Sequence, residues 1–364
     1  MRKINLIILV SMLLLALEAE EPHIAVLGLC IEAPGHEFVK EFDAFIREEL
    51  APLGLNILVL RVDWNFEYET HPELRGDDPL TRKDIRTLAK TCKELNINLI
   101  PHINLLGHQS WAGKTGKLLE VYPQFDETPW VQMPEEYKWP NDEGLYCKSY
   151  CPLHPEVHDV VFDIVGELVD VFEATAFHAG MDEVFYIGDS RCPRCSGRDK
   201  AELFAGEVNR INNFLAGKNC QMWIWGDRLI DGKVTGYGMW EASMNNTHRA
   251  IDLISKDVVI CDWHYERPDL SAVMFAMKGF TVLTCPWRNP DIALMQLENT
   301  EMYISTANKA MKDRYAGILQ TEWGSAEKFV DEFLEIKKSG GAPEGKERTA
   351  ANTFFMLTAK IAAD

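Results

Sequence analysis

Basic residues are scarce in this sequence of 364 residues: 37 lysines and arginines stand against 56 aspartates and glutamates, a formal net charge of −19. A surface of that sign repels nucleic acid and anionic lipid, which sets both aside as partners while leaving neutral substrates open. Beyond the amino terminus there is no long apolar run, so no other membrane span is expected. No Pro/Gly/Ser-rich linker, composition break or low-complexity stretch divides the chain, which argues against disorder and against several domains. A His-Glu-x-x-His or three-histidine pattern is also missing, so neither a catalytic metal nor another cofactor is expected. Gly28 and Gly35 do not form a glycine-rich phosphate loop after the first apolar run, which disfavours an open, doubly wound nucleotide-binding sheet.

What is present begins with a targeting pattern. Arg2 and Lys3 precede an apolar run from Ile4 to Leu17, and Ala19 stands before Glu20, Glu21 and Pro22. A basic start, a short apolar core and a small residue before a polar switch predict a secretory signal over residues 1–19, with an uncleaved anchor as the alternative. The rest, residues 22–364, is expected to be one soluble, exported domain. With 46% hydrophobic residues it is long enough to bury a large core.

Eight short apolar runs recur at residues 24–31, 56–62, 97–103, 175–181, 220–226, 257–263, 280–285 and 316–321. Nearly continuous apolar character over four to eight residues is what strands buried on both faces require. Amphipathic stretches lie between them. From Pro155 onward, Val157, Val160, Val161, Ile164, Val165, Leu168, Val169 and Phe172 fall on one helical face. Thr81 and Asp84 predict a cap for a helix carrying Ile85, Leu88, Ala89 and Cys92. Eight strand–helix units predict a closed (β/α)8 barrel, with the open sheet as the structural alternative. The longest connection, residues 105–153, holds Trp111, Tyr122, Trp130, Tyr137, Trp139, Tyr146 and Tyr150, and reads as a lid or a platform.

In such a barrel the site lies at the carboxyl ends of the strands. Those ends carry Asp63, His102, His108, Asp182, Glu183, Trp225, Asp227, Asp262, Trp263, His264, Tyr265, Trp287, Arg288, Glu322 and Trp323, with Trp240 and Glu241 between the fifth and sixth runs. Acids mixed with tryptophans suit a sugar, whose C–H faces stack on rings while its hydroxyls bind carboxylates. Cleaving a glycosidic bond further needs an acid for the leaving oxygen and a second group for the oxocarbenium-like transition state. Asp182 and Glu183 emerge from the apolar strand His178-Ala179-Gly180-Met181. Neighbours in an extended strand point to opposite sides, so the two reach one pocket only where the strand ends. Like charges held there are expected to raise one pKa.

The segment His178 to Glu183 resembles the His-x-Gly-Gly-Asp-Glu signature of glycoside hydrolase family 20, the β-N-acetylhexosaminidases. The resemblance continues through Leu80-Thr81-Arg82-Lys83-Asp84-Ile85, Leu99-Ile100-Pro101, Gly107-His108, residues 222–227 (MWIWGD) and Gly317 to Trp323. It implies a (β/α)8 barrel and substrate-assisted retention, in which the substrate's 2-acetamido oxygen attacks the anomeric carbon. By resemblance, Glu183 is the general acid/base and Asp182 orients the acetamido nitrogen. His108, Trp225, Trp263 and Trp323 would line the sugar pocket, and Tyr265 would hydrogen-bond the acetamido oxygen. Asp227 and Asp63 would bind hydroxyls or support the pocket. The partner is then an oligosaccharide or glycoconjugate. A catalytically inactive carbohydrate-binding barrel and a barrel glycosidase acting on a non-acetamido glycan remain as alternatives.

Three departures stand out. Met181 replaces the second glycine of the signature. The family's sugar-binding arginine after the first strand has no counterpart in residues 31–35, and its Trp-x-Glu after the last strand reads Trp323-Gly324-Ser325. The accessory domain usual before the barrel is not seen, so a divergent single-domain member is expected. Of the nine cysteines, Cys30, Cys220, Cys261 and Cys285 lie in strand-like runs and read as buried core. Cys192-Pro193-Arg194-Cys195 has the spacing of half a zinc site, and Cys147 with Cys151 would supply the other half; disulfides and isolated thiols are the rivals. Asn245-Asn246-Thr247 matches a glycosylation acceptor by pattern.

Overall fold

The computed structural model describes residues 24–111, 113–133 and 147–363, so the amino-terminal targeting pattern and Tyr137, Trp139 and Tyr146 lie outside the described residues. Each of the eight apolar runs forms a strand whose ends fall within two residues of those read from sequence. They are β1 (Val26–Glu32), β2 (Ile57–Arg61), β3 (Asn98–Leu105), β4 (Ala176–Gly180), β5 (Gln221–Trp225), β6 (Val259–Trp263), β7 (Thr281–Cys285) and β8 (Tyr315–Thr321). All neighbours pair in parallel in chain order, and β8 pairs with β1 to close the barrel. The expected (β/α)8 architecture is therefore correct and the open sheet is excluded.

The continuous apolar runs follow from burial on two sides. Cys30, Val59, Ile100, Trp223, Trp225, Val259, Cys261, Leu283, Cys285 and Leu319 form one cluster. Their chain neighbours, such as Leu29, Leu58, Leu99, Met222, Ile224 and Ile260, belong to a second cluster shared with the helices. Alternation across each strand puts the first set inside the barrel and the second beneath the helical ring.

Among the described residues, eight α-helices of seven or more residues accompany the strands. They are α1 (Val39–Phe45), α2 (Arg82–Glu94), α3 (Val157–Phe172), α4 (Lys200–Gly217), α5 (Ser271–Met277), α6 (Pro290–Thr306), α7 (Ala326–Ser339) and α8 (Ala350–Ala363). The α3 face read from sequence is the buried one. Thr81 caps α2 in a reciprocal capping box with Asp84. The β5–β6 crossover holds short turns only, at Gly232–Thr235, Gly238–Glu241 and Thr247–Asp252. No helix among the described residues is long and apolar enough to cross a membrane.

The seam that closes the barrel leaves no room for a side chain at Gly317. Gly317 has φ +144° where β8 shifts register against β7, and a Cβ there would stand 2.1 Å from the Val26 carbonyl oxygen. The connection after β3 starts with a two-stranded hairpin, Ser110–Trp111 against Lys114–Thr115, and returns along an Asp126–Tyr150 bridge. Its aromatics have mixed roles, which narrows the platform reading. Tyr122 stacks on Phe125, Trp130 lies under the Arg191 guanidinium, and buried Tyr150 donates to Glu207 (2.6 Å). Trp111 is exposed beside His108, with ring centroids 5.8 Å apart.

Candidate active site

The acid pair owes its geometry to a turn that follows β4. Gly180, Met181 and Glu183 all have positive φ, at +68°, +71° and +48°. The first must be glycine, because a Cβ would stand 2.6 Å from Asn104 Oδ1. Met181 adopts the left-handed conformation without that freedom while fully buried. Such a residue carries strain of about 1–3 kcal/mol, held in place by the packing around it. The extended alternation has ended there, and both acids reach one side.

They meet at His108, itself at φ +53° after β3. His108 Nε2 lies 3.1 Å from Asp182 Oδ2 and 3.3 Å from Glu183 Oε2. Side-chain exposures of 15%, 11% and 14% for His108, Asp182 and Glu183 leave little water to screen these charges. Burial opposes charge on His108, but the Asp182 carboxylate outweighs it and lifts the imidazole pKa well above its ordinary value. Burial likewise opposes charge on Asp182, and the His108 cation and hydrogen bond overcome it, holding that carboxyl below the usual range. The upward shift expected for one member of the pair is therefore not found at Asp182. Its second oxygen, Oδ1, is buried and has no hydrogen-bond partner among the described residues.

The other residues named from the strand ends divide into two groups. Tyr265 stacks on Trp263 at 5.0 Å and accepts a hydrogen bond from Trp323 Nε1 (2.9 Å), so these three form one aromatic wall. Trp225, expected to line the pocket, is fully buried instead, packed against His178 and Trp323 with centroids 4.3 and 5.6 Å away. Asp227 and Asp63 act as supports. Asp227 Oδ2 accepts from the Glu183 backbone N–H (3.0 Å) and Arg228 Nε (2.5 Å), and Oδ1 faces Trp263 Nε1 at 3.4 Å. Burial pushes its pKa up to about 6 against the pull of Arg228. Asp63 Oδ1 accepts from the Asn104 N–H (2.9 Å) on β3.

Several site features went unread in the sequence. Cys147 does not join the other loop cysteines: its thiol donates to Glu183 Oε2 (3.3 Å) and sits 3.7 Å from His108 Nδ1. Burial pushes that thiol up to about 12, so it remains protonated. Arg61, at the end of β2, places its guanidinium 4.8 Å over the Trp323 ring and donates through Nη2 to the Glu322 carbonyl (3.2 Å). Its Nε is buried without a hydrogen-bond partner among the described residues. An arginine therefore reaches the site from the second strand although the first lacks one; its position at a strand end was the available signal. The glycosylation pattern has a structural use. Asn245 Nδ2 donates to the Val184 and Phe185 carbonyls (2.9 and 3.1 Å), tying down the segment after Glu183, and Thr247 is buried.

A closed parallel barrel with two carboxylates sharing a histidine at the strand ends, beside an aromatic wall, defines the class as a glycoside-hydrolase barrel. The catalytic-domain profile of glycosyl hydrolase family 20 matches residues 63–324, and the chain belongs to that family. It is 24% identical over 235 residues to a lacto-N-biosidase of Bifidobacterium bifidum, an alignment covering 61% of this chain and 18% of that protein. Over 159 residues it is 26% identical to a beta-hexosaminidase of Akkermansia muciniphila, covering 41% and 30%. The chain thus spans less than a third of either relative. A beta-N-acetylhexosaminidase structure superposes with a TM-score of 0.63 at 16% identity, covering 93% of this chain and 76% of that one. The Flavobacterium johnsoniae chitobiase gives 0.60 at 17%, covering 94% and 52%. At such identities the structural likeness establishes the shared fold.

Proposed function

We propose that this protein is an exported, exo-acting β-N-acetylhexosaminidase that removes terminal N-acetylhexosamine from oligosaccharides or glycoconjugates by substrate-assisted retention. The observation carrying this reading is the state of Asp182. One oxygen is fixed by His108, and the other is buried and unpartnered among the described residues. A buried acceptor without a donor is costly, and a substrate N–H that arrives there relieves the cost. The 2-acetamido N–H is such a donor.

With that N–H held on Oδ1, the acetamido carbonyl oxygen attacks the anomeric carbon while the bond to the leaving oxygen breaks. Glu183 gives its proton to that oxygen, and a cyclic oxazolinium forms with its charge beside Asp182. Glu183 then takes a proton from water as the water oxygen attacks the same carbon, reopening the ring and restoring both groups with retained configuration. Tyr265 accepts from Trp323, which leaves its own proton for the acetamido oxygen. Trp263 and Trp323 present ring surface to the sugar, and Arg61 offers a donor to an outer hydroxyl.

Turnover of an aryl N-acetyl-β-hexosaminide and of the same glycoside lacking the acetamido group tests the reading. We expect turnover of the first only, with Glu183→Gln slowing poor leaving groups by roughly 10²–10⁴-fold. Equal turnover of both glycosides would overturn substrate assistance. Sugar binding without turnover of either would make the chain a binding barrel.

A further inference from the structure

The structure assigns a structural zinc site to Glu127, Cys151, Cys192 and Cys195, apart from the catalytic acids and independent of which glycan is cleaved. All four residues are buried, and their ligand atoms lie within 4.8 Å of one another. Cys151 Sγ is 3.7 Å from Cys192 Sγ and 3.5 Å from Cys195 Sγ. Tetrahedral zinc with Zn–S bonds of about 2.3 Å separates its sulfurs by roughly 3.8 Å, whereas a disulfide brings two of them to about 2.05 Å. Cys151 stands at the first spacing from both other sulfurs, and all three lie within 4.8 Å of one another, which suits a ligand set; a disulfide would draw one pair together and leave the third aside.

Glu127 supplies the fourth ligand. Its Oε1 accepts from the Asp189 N–H (3.0 Å), which aims the carboxylate, while the buried Oε2 has no N–H or O–H donor among the described residues. The side chain is only 1% exposed. A buried carboxylate whose neighbours are three thiols is better satisfied by a cation than by weak S–H donors. Zinc binding would displace the thiol protons to solvent, giving three thiolates and one carboxylate around the ion. The protein positions them from two loops. Cys192 and Cys195 lie on the turn after the β4 acids, with the Ser196 N–H donating to the Cys192 carbonyl and the Arg198 N–H to that of Cys195. Cys151 and Glu127 belong to the long connection after β3, where the Cys151 N–H donates to Phe125 and the Glu127 N–H to Ser149. The expected second pair is therefore corrected: Cys147 is replaced by Glu127.

The position gives the site its purpose. Cys147, four residues before Cys151, touches Glu183, and Cys192 follows Glu183 by nine residues. A metal joining the two loops fixes both approaches to the acid.

The full chain, purified without chelators or a metal-affinity tag, is assayed for metal by mass spectrometry and for thiols after denaturation without reductant. We expect one zinc per chain and nine reactive thiols. Cobalt substitution is expected to give an intense near-ultraviolet thiolate-to-cobalt band, and mercurial titration to release the zinc. Cys192→Ser with Cys195→Ser should lose the metal; if that variant does not fold, the cobalt spectrum and the titration of the unaltered chain still decide. Glu127→Gln should weaken zinc at least tenfold in chelator competition, and unchanged affinity would remove Glu127 from the ligand set. Metal-free protein with all thiols reactive, or with two fewer thiols because a disulfide has formed, would overturn the site.

Discussion

At the residue scale His108 governs the acid pair. Its cation sits between Asp182 and Glu183, and it is the reason Asp182 remains ionised despite burial. Replacing it leaves Asp182 with burial alone, which favours the neutral form. In His108→Gln the acidic limb of the kcat/KM profile should therefore move to higher pH, and activity should fall on the order of a hundredfold as charge stabilisation is lost. A limb that does not move would show that Asp182 is held ionised by something else. Asp182, Glu183 and His108 were legible in the sequence because each follows an apolar strand, and a strand end is where barrel chemistry gathers. Cys147 and Arg61 were not. A cysteine in a polar loop gives no sign of which partner it folds against, and Arg61 passes unnoticed where only acids and aromatics are sought. The burial of Trp225 was equally hidden, since inward-facing positions at a strand end share one sequence pattern whether they close the barrel interior or open into the pocket.

At the scale of elements, the two-sided burial of parallel strands made all eight runs readable, and the capping box and apolar stripe did the same for α2 and α3. The β5–β6 crossover was the weak point, because short turns there replace a helix and leave no periodicity to read. The register shift in β8 was also silent, since a lone glycine in an apolar run does not reveal its φ. That glycine carries a prediction. Gly317→Ala would press a Cβ against the Val26 carbonyl and hold alanine at φ +144°, so β1 or β8 must shift at the seam that closes the barrel. We expect a loss of at least about 3 kcal/mol, read as a lowered denaturant midpoint or a failure to accumulate folded protein. Stability equal to that of the unaltered chain would mean that the seam relaxes freely.

For the whole molecule, charge and burial together set the dependence of stability on pH. His264 is almost fully buried, with Nδ1 3.0 Å from Glu241 and Nε2 3.4 Å from Asp262. Burial disfavours its cation, but Asp262 and Glu241 outweigh that and raise its pKa to about 10. A histidine whose pKa is raised by folding contributes stability that is fully present below the unfolded value of about 6.5 and is lost as pH rises through the folded one. The net charge of −19 acts in the same direction, since self-repulsion does not ease as further groups lose protons. The chain should therefore be most stable at mildly acidic to neutral pH and weaken steadily toward pH 10. Measuring denaturant midpoints for the unaltered chain and His264→Asn at pH 6, 8 and 10 separates the two causes. The variant leaves buried Asp262 without its cation and Glu241 with Arg267 alone, so the gap at pH 6 should be about 3–5 kcal/mol, as when one partner of a buried pair is removed. It should shrink as pH approaches 10, where the native imidazole also loses its proton, while the decline due to net charge persists in both proteins. A gap that stays constant across this range would mean that His264 is neutral in the folded state and joins the two loops by hydrogen bonds alone.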